Sequence, residues 1–162
     1  NTAFTVNDSA QAILEIQDAE LFFNNKRWTI DNNNDNPILV ATSTSDFAFS
    51  NLNFMTETSA ITADASQKGS DAFTIDVKFS NVYMNDLLSF QKNRWEGIVN
   101  GFLNIRQSPA GFGGNSNMHL SDLALNDVPL GEAALKLQSN KDNQDYQLAL
   151  QIADDGLSLI HI

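Results

Sequence analysis

Cysteine is absent from this 162-residue chain, so neither a disulfide nor a thiolate metal site can form. Cations are scarce. Nine Lys and Arg stand against twenty Asp and Glu, giving a formal net charge of −11 at pH 7. Phosphate backbones are held by clustered cations, so this balance argues against nucleic acid as a partner. It argues equally against a chain that rests flat on an anionic bilayer. Histidine occurs twice and proline three times. Long apolar runs are missing too: no stretch approaches the roughly 18 residues a membrane-spanning helix needs.

What the chain does have is alternation. Phe73, Ile75, Val77 and Phe79 are separated by Thr74, Asp76 and Lys78. Val99, Leu103 and Ile105 share a parity with Gly97 and Gly101. Leu135 and Leu137 flank Lys136, while Leu148, Leu150 and Ile152 are interleaved with Ala149 and Gln151. Leu14 and Ile16 repeat the pattern near the start. A period of two is the signature of a strand with one wet and one dry face. Shorter strands fit 22–24, 27–31, 39–42, 47–54, 61–65, 117–120 and 158–162. Polar clusters rich in Asn, Asp and Gly separate them, at 24–26, 31–37, 68–70, 108–114, 126–127 and 140–145. These residues accept left-handed backbone and punctuate hairpins. The close, regular spacing predicts an antiparallel meander in a single all-β domain over residues 1–162. Both ends of the sequence, Asn1 and the apolar Leu159-Ile160-His161-Ile162, read as cuts through a longer repetitive protein.

Two irregularities stand out. Residues 85–91 carry a helical stripe of Leu87, Leu88 and Phe90, with Asn85 as the expected N-cap. In Phe47, Phe49, Leu52 and Phe54 the parity slips by one, which a bulge near Ser50-Asn51 would explain. Motifs that carry chemistry are weak. Asp31, Asn33 and Asp35 imitate the first ligands of a calcium loop, but Asn36 replaces its glycine and Thr42 its bidentate carboxylate. His119 has Ser121 and Asp122 nearby, yet no nucleophile elbow accompanies them. His119 and His161 are too sparse for a zinc site. No catalytic residue, metal or cofactor is expected.

The apolar faces carry the functional expectation. Alternating Phe, Leu and Ile would ordinarily fill a β-sandwich. A sheet that keeps growing hairpin by hairpin instead curls under its own twist, and its concave side becomes a trough. Strands stack ~4.8 Å apart, so about 12 of them give a trough roughly 58 Å long. Its natural cargo is an acyl chain, because each buried CH₂ contributes ~0.8 kcal/mol without any polar recognition. The expected lining is Phe73, Ile75, Val77, Phe79, Val99, Leu103, Ile105, Leu135, Leu137, Leu148, Leu150 and Ile152. Gly97 and Gly101 would let the wall bend or let a lipid tail lie close.

Four runs also resemble a known family. They are Ala19 to Ile30 (AELFFNNKRWTI), Phe79 to Leu88 (FSNVYMNDLL), Gly97 to Ile105 (GIVNGFLNI) and Leu123 to Leu137 (LALNDVPLGEAALKL). In this order they are similar to the C-terminal β-domain of the TamB family, the translocation and assembly module proteins of the AsmA-like group, with Asn-rich turns like those of the Bacteroidetes branch. The resemblance implies a curled "taco" sheet in the periplasm, a full-length protein anchored in the inner membrane, and transport of phospholipid acyl chains between membranes. It also implies association with an Omp85-class β-barrel of the outer membrane. Two other functions fit the strands: an outer-membrane protein or autotransporter assembly factor acting by strand addition, or a segment of a structural β-solenoid adhesin with a filled interior.

Overall fold

The computed structural model describes residues 2–6, 12–16, 19–31, 39–41, 46–69, 71–88, 92–139, 145–153 and 158–161. Every described strand belongs to one antiparallel sheet. The strands are β1 (Thr2–Val6), β2 (Ala12–Ile16), β3 (Glu20–Phe23), β4 (Lys26–Asp31), β5 (Leu39–Ala41), β6 (Phe47–Met55), β7 (Ala60–Lys68), β8 (Ala72–Tyr83), β9 (Trp95–Ser108), β10 (Gly111–Leu125), β11 (Val128–Ser139), β12 (Tyr146–Ala153) and β13 (Ser158–His161). The spatial order is β1-β2-β5 and then β6 to β13 in sequence. The β3–β4 hairpin branches from this path, because β4 and β5 both pair with β6. The sheet is an open, curled meander, and no second sheet of described strands lies over it.

Turn chemistry sets the hairpins. Asn24 and Asn25 join β3 to β4, and Asn126 and Asp127 join β10 to β11, all four at positive φ between 49° and 65°. Two successive left-handed residues form the turn whose twist matches the flanking strands, and Asn and Asp tolerate it best after glycine. Asn126 is held further: its N–H donates to the Arg94 carbonyl and its Oδ1 accepts from the Arg94 N–H, each at 2.9 Å.

The bulge anticipated near Ser50-Asn51 is present, and two others share its form. Between Phe49 and Leu52, between Phe79 and Val82, and between Leu120 and Leu123, one extra residue enters the strand. Asn51, Asn81 and Asp122 occupy these points in left-handed conformation, with φ of 54°, 51° and 53°. The sequence repeats with them: Phe-Ser-Asn-Leu at 49–52, Phe-Ser-Asn-Val at 79–82 and Leu-Ser-Asp-Leu at 120–123. The facing strand supplies a polar residue opposite two of these bulges. Asp64 Oδ1 accepts from the Asn51 N–H at 2.8 Å, and Asn100 Oδ1 from the Asn81 N–H at 2.9 Å. Ser59 Oγ, 3% exposed, donates to the Asn81 carbonyl at 2.7 Å, so both backbone groups of that bulge are satisfied. Each extra residue returns the following apolar side chain to the face it would otherwise leave.

Two expectations are corrected. The helix is α1, Met84–Leu87, one turn long, with Tyr83 at the N-cap position and Asn85 inside it. Met84 and Leu87 pack on the core, and the Lys26–Asp86 ion pair fixes the turn, so tertiary contact rather than capping decides its start. Phe90 lies outside the described residues, as does most of the calcium-like segment. The expected loop at 108–114 is instead a two-residue turn, Pro109-Ala110, followed by a strand of 15 residues. Gly113 and Gly114 are buried within that strand. A Cβ on Gly114 would collide with the Asn104 carbonyl of β9, so glycine here serves close backbone approach, not a loop.

The bulge geometry predicts opposite outcomes for two substitutions. Asn81→Gly should stay within about 0.5 kcal/mol of the parent. Asn81→Val, despite valine's preference for strands, should destabilise by about 1–2 kcal/mol, because a β-branched residue resists φ > 0. Urea unfolding midpoints measure both.

Candidate functional site: one apolar face

Pairing registers place all twelve expected lining residues on the same face. One rung runs Ala63, Val77, Leu103, Ser116, Leu137, Leu148 across β7 to β12. The next runs Ile61, Phe79, Gly101, Met118, Leu135, Leu150, and a third runs Val82, Val99, Leu120, Ala133, Ile152. Ile75 and Ile105 are partners between Ala65 and Gly114. Phe73 sits on the outermost of these rungs beside Gln67 and Gln107. The bulge at Asn51 brings Phe47, Phe49, Leu52 and Phe54 onto this same face.

The opposite face is mainly polar, although Phe102 lies on it beside Lys78 and is 42% exposed. Asp64, Asp76 and Asn104 align across β7, β8 and β9, and Asn104 Nδ2 donates to Asp76 Oδ1 at 2.7 Å. Lys78 and Lys136 belong to it, as does His119, whose Nε2 lies 3.4 Å from Glu132 in an exposed pair. Among the described residues no three His, Cys, Asp or Glu side chains converge on a possible metal position. No helix among them is long and apolar enough to cross a membrane.

The apolar face is thinly covered. Of its twelve expected lining residues only Val99 is fully buried, Leu148 is 37% exposed, and the others are half-buried. The whole chain exposes 10690 Å². A compact monomer of this mass would expose about 8,000 Å².

Among the described residues one end of the face is closed. There Trp28, Val82 and Val99 form a small core with Phe54, Ile61, Phe79, Met84, Leu87, Met118 and Leu120 around it. Trp28 belongs to β4, yet it packs on side chains of β8 and β9, so the β3–β4 hairpin reaches across the sheet. The hairpin is pinned by Lys26 Nζ, 2.7 Å from Asp86 Oδ2 and 4.0 Å from the centre of the Tyr83 ring. The Asp86 side chain is 1% exposed and that of Lys26 38%. A cleft of about 570 Å³ beside the hairpin, lined by Lys26, Arg27, Thr29, Met55, Thr56, Glu57 and Thr58, contains none of the expected lining residues.

A Cβ on Gly101 would strike the carbonyl of Asn117, and one on Gly97 would lie 2.9 Å from that of Ser121. Gly97 and Gly101, both at positive φ, thus let β9 and β10 approach closely. Trp28 and Val82 are the central residues the expected lining omits. The repeated Phe-Ser-Asn signal before Val82, matching that before Leu52, is the clue that would have placed Val82 on this face.

Comparison with known proteins adds no relative: no family model, no curated protein and no solved structure matches the chain.

The two ion pairs of the hairpin should behave differently. Lys26→Ala leaves the Asp86 carboxylate buried without its cation and should destabilise by about 3 kcal/mol. Arg27→Ala removes only the exposed pair with Glu20 and should change stability by less than about 0.5 kcal/mol. Chemical denaturation of both variants checks the contrast.

Proposed function

We propose that this chain carries phospholipid acyl chains along the apolar face of its curled sheet, as a periplasmic segment of an envelope-spanning, TamB-like protein. The observation that carries this reading is the continuous apolar face, several strands wide and with no second sheet of described strands over it. Twelve strand positions and three bulges keep one parity inward at the expense of a closed core. A soluble protein that leaves so much contiguous apolar surface open has a partner for it. An acyl chain suits the surface, since it requires burial and no directed polar contact. A 16-carbon tail gains on the order of 12 kcal/mol by leaving water completely, and a half-covered trough captures part of that while letting the tail slide. The polar opposite face keeps the outside of the wall in water. No residue acts catalytically in this scheme. The inner-membrane anchor and the Omp85-class barrel belong to the proposal through the family resemblance alone.

Strand addition is the second reading, favoured by one specific feature. Among the described residues β3 pairs only with β4, and its Leu21, Phe22 and Phe23 are exposed. Such an edge can accept an unfolded client strand through its backbone. The adhesin reading has less support, because it calls for an interior filled by the protein's own side chains.

Charge placed in the trough separates the readings. Leu135→Asp or Leu148→Asp should lower transfer of fluorescent phospholipid between vesicles at least tenfold while the far-ultraviolet circular dichroism of the sheet is retained. Photo-crosslinkers at positions 77 and 135 should capture lipid, and those at 74, 76 and 136 should not. Phe22→Pro should abolish client binding under the strand-addition reading and leave lipid transfer undiminished. Full transfer by a folded Leu135→Asp variant would remove the acyl-chain reading.

A further inference from the structure

The β3–β4 hairpin branches off the main path of the sheet. β4 pairs with β6 through Thr29, Ile30 and Asp31 alone, and β3 contacts the sheet through β4. Beyond those three residues the hairpin leaves the edge of β6 and lies over the apolar face, where the Trp28 indole, 5% exposed, rests on Val82 and Val99. Its far end is fastened to α1 by the Lys26–Asp86 pair and by Asn24 Nδ2, which donates to the Asn85 carbonyl at 3.4 Å. Resting on the acyl-chain reading above, we propose that this hairpin is a displaceable stopper: the Trp28 indole occupies the closed end of the trough in place of lipid, and the Lys26–Asp86 pair is its latch.

Three features of the seated hairpin favour release over permanent closure. First, Trp28 Nε1 is buried without an acceptor and Asp86 Oδ1 without a donor. Both atoms regain partners when water or a polar headgroup reaches them, so seating carries a penalty that opening removes. Second, the hairpin shows water apolar side chains on both of its faces, Phe22 on the Arg27 side at 70% exposed and Leu21 and Phe23 on the Trp28 side at 55% and 37%. A lipid arriving at this end offers those side chains an apolar partner that the closed state lacks. Third, the latch is a single ion pair with one end in solvent, and breaking it frees Lys26, already 38% exposed, without unpicking the main sheet. The indole and an acyl tail compete for one surface made of Val82, Val99, Phe79 and Leu120, so loading of the trough and seating of the hairpin exclude each other.

Trp28 and Trp95 are the chain's two tryptophans, so a Trp95→Phe background makes Trp28 the sole reporter. In that background, extraction of pyrene-labelled phosphatidylethanolamine from vesicles of phosphatidylethanolamine and phosphatidylglycerol (3:1) is followed for three proteins. The parent sets the reference. The unlatched protein carries Lys26→Met with Asp86→Asn, which removes both charges together and strands neither. The locked protein carries Asn24→Cys and Asn85→Cys joined by a short bis-maleimide, unambiguous because the chain has no other cysteine. Unlatching should raise the extraction rate at least threefold and shift Trp28 emission to the red on lipid addition. Locking should lower the rate at least tenfold relative to the same variant before crosslinking. A locked protein that extracts lipid as fast as its uncrosslinked form overturns the stopper and leaves the acyl-chain reading standing. If no protein extracts lipid, although the unlatched form shows red-shifted Trp28 emission, the acyl-chain reading falls and the stopper falls with it.

Discussion

Side chains on a strand point alternately to opposite faces, so one face of a sheet stays apolar only while the pairing register holds across every strand. A slip of a single residue exchanges the two faces from that point onward. In this sheet the constraint extends across many hydrogen-bonded strands, and the rung from Ala63 to Leu148 shows it met over six of them. Asn51, Asn81 and Asp122 are where it would otherwise fail. Each takes a conformation that most residues avoid, and each sits where the apolar pattern would lose step with its neighbours. The polar side chains opposite two of them, Asp64 and Asn100, accept the N–H that the extra residue frees from the ladder.

Packing follows from the same constraint. Among the described residues no facing layer buries the apolar side, and its buried core of Trp28, Val82 and Val99 lies at the end where the β3–β4 hairpin and α1 fold over it. Trp28 there has a role usually filled by a second sheet. The cost is visible in polar atoms: Asp86 is almost wholly buried with one cationic partner, and Trp28 Nε1 has none. A core that tolerates two such atoms within one small cluster is less optimised than the sheet that supports it.

Much of this was legible from residue order. The alternation at 73–79, 99–105, 135–137 and 148–152 specified both the strands and the face each residue joins, because amphipathic period is a local property. The turn residues at 24–25 and 126–127 were equally plain. Strand lengths were not. β10 extends back through Gly111, Gly113 and Gly114, which read as loop residues in isolation and become strand residues only because β9 approaches them closely. Trp28 was out of reach for a different reason: its place over Val82 and Val99 depends on where a hairpin folds in three dimensions, and no periodicity encodes that. The Ser-Asx pairs at 50–51, 80–81 and 121–122 lay in between, readable as a repeat once the first slip in parity is compared with the other two.

That repeat bears on how such a sheet could change in size. Residues 79–86 (FSNVYMND) and 120–127 (LSDLALND) match in pattern, though one leads into a helical turn and the other into a hairpin. Each hairpin meets mainly the strands beside it, so its stability depends on nearest neighbours rather than on the whole. Duplicating a two-strand unit would therefore lengthen the wall by roughly 10 Å and leave existing contacts untouched. Span becomes a quantity that gene duplication can adjust in steps, free of the redesign a closed barrel or sandwich would demand.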